Sequence, residues 1–218
     1  MTTDTHSGAH SEAHSDADAG AEQQLDEDEL LHLAMHASGQ DRHDLAIGYL
    51  KQIVHRNPRN AIATYLLGAE HAQIGLYPRA MEEMQRAVDM APTLYAARLQ
   101  LGLLYLTSAM VEESVATLAP LQDLGDENFY SCFSQGLQHL IRDEFADCRH
   151  WLQKGMGLND ENLALNGDMQ RILDALPAEA AAGVGSTTPG APGLPGVAGK
   201  DGKNWLSAYQ GDDDSASL

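Results

Sequence analysis

From Leu30 onward the sequence repeats itself at a fixed interval. Small residues stand at Ala34, Gly68, Gly102 and Gly136, each 34 places after the last. They are preceded by Leu33, Leu67, Leu101 and then Gln135. A second small site runs Ala46, Ala80, Ser114 and Cys148, and a larger apolar site runs Leu50, Met84, Leu118 and Leu152. Turn residues close the units at Pro58, Pro92, Asp126 and Asp160. The stretches "YLLGAEHAQIGLYPRAMEEMQRAVDMAPT" and "LQLGLLYLTSAMVEESVATLAPLQDLGDE" align at this shift. A register that holds four times without an insertion specifies an array of similar units, each burying its apolar side against its neighbours.

Within the units, apolar residues recur every three or four places and nothing alternates, so residues 30–176 read as amphipathic helix throughout. Glycine or alanine belongs where two helices of a hairpin approach most closely, with Leu or Met filling the space beside it. A closing proline ends the second helix and favours an extended residue before it, here Asn57 and Ala91.

These features resemble the tetratricopeptide repeat (TPR) family, whose 34-residue unit is a pair of antiparallel helices. The resemblance covers residues 27–161, and a fifth amphipathic segment follows. Leu165, Met169, Ile172, Leu173 and Leu176 share one face of that segment, and Pro177 stops it. The expected fold is all-α: a right-handed superhelical solenoid of four TPR hairpins with a C-terminal capping helix and disordered tails. The first unit departs from the pattern by placing Ala37 where Tyr105 stands in the third, and His71 and His139 hold that site in the other two. Pro120 falls inside the second helix of the third unit and is expected to kink it. The third and fourth units lack the closing proline.

In this family the first helices line the inner face, where partner peptides lie. The residues expected to line that groove are Leu31 and Met35, then Ile62, Tyr65 and Ala69, then Leu99, Leu103 and Leu106, and finally Tyr130, Phe133, Leu137 and Leu140. Family members that clamp a C-terminal carboxylate use Lys, Asn and Arg on this face. Arg98 is the only basic residue in the vicinity, so an apolar or amphipathic segment is the expected ligand. An uncovered stripe of this length is an aggregation hazard, so a client, a second copy or part of this chain should cover it.

Composition divides the chain into residues 1–24, a His/Asp-rich tail expected to be disordered, and residues 25–177, the repeat domain. Residues 178–203 form a Gly/Pro/Ala linker, and residues 204–218 a short motif with an acidic end. The linker carries Gly190, Gly193, Gly196, Gly199 and Gly202 at collagen spacing, but five triplets are too few for a triple helix and the last three lack proline. It reads as a spacer. Beyond it, Trp205, Leu206 and Tyr209 form a candidate docking motif for the groove or for another protein.

The net charge is −19, and residues 30–177 carry eighteen acidic against eleven basic side chains. That balance is unsuited to nucleic acid or an anionic membrane surface. No secretory signal and no membrane-spanning run is evident, so a cytoplasmic protein is expected. His6, His10 and His14 have helical spacing in a stretch with no helical tendency, and His32 and His36 lack a third ligand in sequence, so no metal site or cofactor is assigned. Cys132 and Cys148 fall at hairpin-packing sites and read as buried free thiols. No phosphate loop, nucleophile elbow or zinc motif is present, so no catalytic residue is assigned. The leading reading is a non-catalytic adaptor, scaffold or chaperone. The alternatives are a structural subunit of a multiprotein machine such as a bacterial secretion system, or an acidic secretion chaperone. The sequence sets neither the client nor the oligomeric state.

Overall fold

The computed structural model describes residues 25–177. Among them are nine α-helices: α1 (Glu27–Ser38), α2 (His43–Arg56), α3 (Ala61–Gln73), α4 (Tyr77–Met90), α5 (Tyr95–Thr107), α6 (Val111–Leu118), α7 (Phe129–Ile141), α8 (Phe145–Leu158) and α9 (Leu163–Ala175). No strand occurs among the described residues. The expected tails, the linker and the Trp205, Leu206 and Tyr209 motif lie outside them.

Helices α1 to α8 pack as successive pairs, α1 with α2, α3 with α4, α5 with α6 and α7 with α8. The repeated sites fall where the pairs need them. Ala46, Ala80, Ser114 and Cys148 are wholly buried at 0%, and Leu50, Met84, Leu118 and Leu152 are at most 2% exposed. A Cβ on Gly102 would lie 2.5 Å from Cγ of Leu118, and one on Gly136 would lie 2.6 Å from Cδ2 of Leu152. These positions are glycine because a leucine of the partner helix sits against their backbone. Pro58, Pro92, Asp126 and Asp160 all lie in the connections. Pro120 is expected to kink the second helix from within, but it ends the α-helix instead: α6 stops at Leu118 and the chain continues as a 3-10 segment over Ala119–Leu124.

A second rhythm of the same period, which the sequence does not advertise, governs the turn inside each pair. Asp41, Gly75, Ala109 and Asp143 all take left-handed backbone, with φ of 57°, 80°, 60° and 57°. At each, the following N–H reaches back by about a turn and a half of helix, as from Met110 to Tyr105 O (2.9 Å) and from Leu76 to His71 O (2.8 Å). This is the Schellman arrangement, which satisfies carbonyls left open at a helix end. A left-handed alanine costs roughly 1–2 kcal/mol, partly offset by the greater freedom glycine has when unfolded. Ala109→Gly is therefore expected to stabilise the chain by about 0.5–1 kcal/mol and raise the melting midpoint by roughly 2 °C. An unchanged or lower midpoint in thermal unfolding would contradict that.

Polar contacts bind helices both between pairs and within them. Glu70, fully buried on α3, accepts from Ser38 Oγ of α1 (2.5 Å) and pairs with His43 Nδ1 of α2 (2.7 Å). His71, at the family's aromatic site, pairs with Glu83 Oε2 at 2.5 Å, which explains how an imidazole is accommodated in that core position. Ser134 Oγ donates to Leu118 O at 2.8 Å and joins the fourth pair to the third.

Candidate interaction face

The residues expected to line the groove lie on the first helices of the pairs, most of them divided between two apolar clusters, and most are not open to solvent. Tyr65, Leu99, Phe133 and Leu137 are 0% exposed, and Met35, Ala69, Leu103 and Leu140 are also buried. Leu31, Leu106 and Tyr130 are half-buried, and Ile62 is exposed.

The covering element is α9. Its Leu165 and Met169 are fully buried, and with Ile172, Leu173 and Leu176 they share one apolar cluster with Leu99 and Leu103 of α5 and with Phe129, Phe133, Leu137 and Leu140 of α7. Ala164 packs against the core built by α1 to α5. Farther along, Asp168 shares the walls of a cavity of about 40 Å³ with Ala69, Ala72 and Gln73 of α3, Met84 of α4, and Gln100, Leu103 and Leu104 of α5. The sequence pattern predicts a terminal lid here. The helix does cover the last pair, and it also reaches across to α3 and α5. The leucines of α5 present apolar surface that a helix with apolar side chains on successive turns of one face can bury.

Local chemistry sets the direction in which α9 leaves α8. Asn159 Nδ2 donates to Asn162 O (2.7 Å) and to Asn166 Oδ1 (2.8 Å), while Asn166 Nδ2 returns to Asn159 O (3.1 Å). Asn159 and Asn162 are each 3% exposed, so this asparagine knot is a fixed corner. Asn162 also caps α9 by accepting from Leu165 N (3.3 Å). At the far end Arg149 of α8 donates to Pro177 O (3.2 Å).

One charged group stands at the covered face. The Asp168 side chain is 16% exposed and pairs with Arg171 one turn later on α9. Burial pushes its carboxyl from 3.8 up to about 6, against the opposing pull of Arg171. The walls contributed by α3, α4 and α5 are uncharged.

No family model matches the chain, and no curated protein does. Solved structures do match. A crystal structure of MamA superposes with a TM-score of 0.51 at 20% identity, covering 61% of this chain and 78% of that one. A second MamA structure, residues 41 to the end from Desulfovibrio magneticus RS-1, gives a TM-score of 0.51 at 16% identity, covering 68% and 85%. MamA is a TPR-containing protein. This chain has the fold of a TPR-like helical-repeat protein.

Among the described residues, one further group of side chains could offer ligand atoms to a metal ion. His139, Glu144 and Asp147 bring ligand atoms within 4.8 Å of one another. Arg142 already occupies that cluster, donating from Nε to Glu144 Oε2 (2.8 Å) with its Nη2 3.1 Å from His139 Nδ1. Hydrogen bonds from Arg142 and His139 hold the Glu144 carboxyl below its ordinary range. Cys132 and Cys148 are free and buried. Burial pushes the Cys148 thiol up to about 11 and raises that of Cys132, which disfavours the reactive thiolate at both. His32 and His36 are exposed, and no helix among the described residues is long and apolar enough to cross a membrane.

Proposed function

We propose that the chain is a non-catalytic protein-interaction module: a scaffold or adaptor whose four TPR units, wound as a right-handed superhelix over residues 25–177, take an amphipathic segment of a protein partner in the groove of their first helices. The observation that supports this reading most directly is the seating of α9. The face carried by α5 and α7 holds an amphipathic helix in one apolar cluster, with Asp168 of that helix beside α3, and it does so with the chain's own sequence. A surface complementary to such a helix in cis is complementary to one in trans. The shortage of basic residues on this face favours an apolar ligand over a terminal carboxylate. A chaperone role would use the same groove, and the acidic charge suits it.

The test uses the full chain carrying Met169→Asp, which places a charge at a fully buried position and releases α9. A labelled peptide of residues 163–177 should then bind with micromolar affinity in fluorescence anisotropy, and Leu103→Asp in the same chain should abolish binding. An opened chain that takes no peptide would refute the reading.

A further inference from the structure

Helix α9 fits its seat at four positions and misfits it at one. Leu165, Met169, Ile172 and Leu173 bury their side chains among leucines and phenylalanines. One turn in, between Leu165 and Met169, the chain puts a carboxylate against a cavity walled by alanines, leucines, a methionine and two glutamines. A cavity of about 40 Å³ has room for a few apolar atoms that the Asp168 side chain does not supply. Nothing on α3, α4 or α5 at this cavity carries a compensating positive charge, and the one that does, Arg171, belongs to α9 itself. The two ends of α9 are anchored: the corner is a buried asparagine knot and Arg149 donates to Pro177 O at the far end. The seat is thus shaped for a helix slightly different from the one occupying it.

Resting on the groove reading above, we propose that the partner of this face is an amphipathic α-helix that competes with α9 for the same seat and carries an apolar residue where α9 carries Asp168. Such a helix places Leu or Met in the cavity and keeps the other apolar contacts of that face. It needs this advantage, because α9 is joined to α8 through a connection of only a few residues and so competes at a high effective concentration. The misfit at Asp168 keeps that internal competitor displaceable.

Two labelled peptides test this on the unmodified full chain: residues 163–177 as they stand, and the same peptide with Asp168→Leu. In fluorescence anisotropy at pH 8 the leucine peptide should bind at least about tenfold tighter, and adding it should raise hydrogen exchange across α9. At pH 5 the gap should narrow by on the order of tenfold, because the seated carboxyl, pushed up to about 6, is then mostly protonated while that of the free peptide is still ionised. The full chain carrying Asp168→Leu should conversely resist the leucine peptide by about tenfold, since its own α9 fills the cavity. Should that variant fail to fold, the two peptides on the unmodified chain decide the matter. If both peptides bind the Met169→Asp chain equally well, the groove reading stands and this proposal falls. If neither binds even that chain, both fall. An unmodified chain that forms a dimer by exchanging α9 and takes neither peptide would assign the seat to a second copy, which also overturns the proposal.

Discussion

Replacing Phe133 by alanine is expected to lower the melting midpoint by roughly 10 °C. The ring is 0% exposed on α7. It meets Phe129 edge-on at 5.9 Å between centroids, and Gly155 of α8 leaves room for it: a Cβ there would lie 2.5 Å from the ring. It also belongs to the cluster that holds α9. Removing such a ring costs about 3–5 kcal/mol from lost transfer energy and the cavity left behind, and each kcal/mol shifts the midpoint of a chain this size by about 2–4 °C. Differential scanning calorimetry measures the shift. A loss of less than about 3 °C would mean that the joint between α7, α8 and α9 is not packed as described.

Met169→Asp should release α9 while leaving the first three pairs folded. Met169 is 0% exposed and sits at the centre of the α9 apolar face. Burying a methionine is worth about 2–3 kcal/mol, and the aspartate adds a charge to an apolar cluster, so the docked helix loses well over roughly 3 kcal/mol. Amide exchange in α9 should accelerate by more than about 100-fold, since each 1.4 kcal/mol is a factor of ten. Helices α7 and α8 should lose part of their protection because they share a cluster with α9, whereas α1 to α4 should keep theirs. Leucines of α5 uncovered in this way should bind a hydrophobic dye. An α9 that stays protected, or a chain that unfolds throughout, would contradict the packing described.

The pairing of helices is legible in the sequence because the sites that specify it recur at one fixed interval and act between near neighbours. Gly102 against Leu118 and Gly136 against Leu152 are local pairings, each within one unit, and the repeat pattern reveals them. Pro120 is legible for the same reason, since the ring acts on its own turn. The inner position of α9 is not. Its apolar pattern predicts a helix and an apolar face, but a lid over the last pair and a helix reaching back to Ala69 and Leu103 require the same pattern. What separates them is the shape of surfaces dozens of residues away in sequence. The sequence marks His71 as a core substitution, yet its partner Glu83 cannot be named from a pattern that places no weight on that position. The left-handed turn residues are hidden because only Gly75 of the four is glycine, whose missing Cβ usually marks such backbone.

Asn162 stands one repeat length after Asn128, and each caps the helix that follows it. Helix α9 thus begins in register, as the opening half of another brick would, but it has been folded inward. Ordinary solenoids can gain or lose a unit by duplication with little penalty, because every unit offers its neighbour the same contacts. Here an added unit would bring fresh oily wall with no additional cover for it. The number of bricks and the reach of α9 across the later ones are therefore tied together, and a change in one would have to be matched in the other.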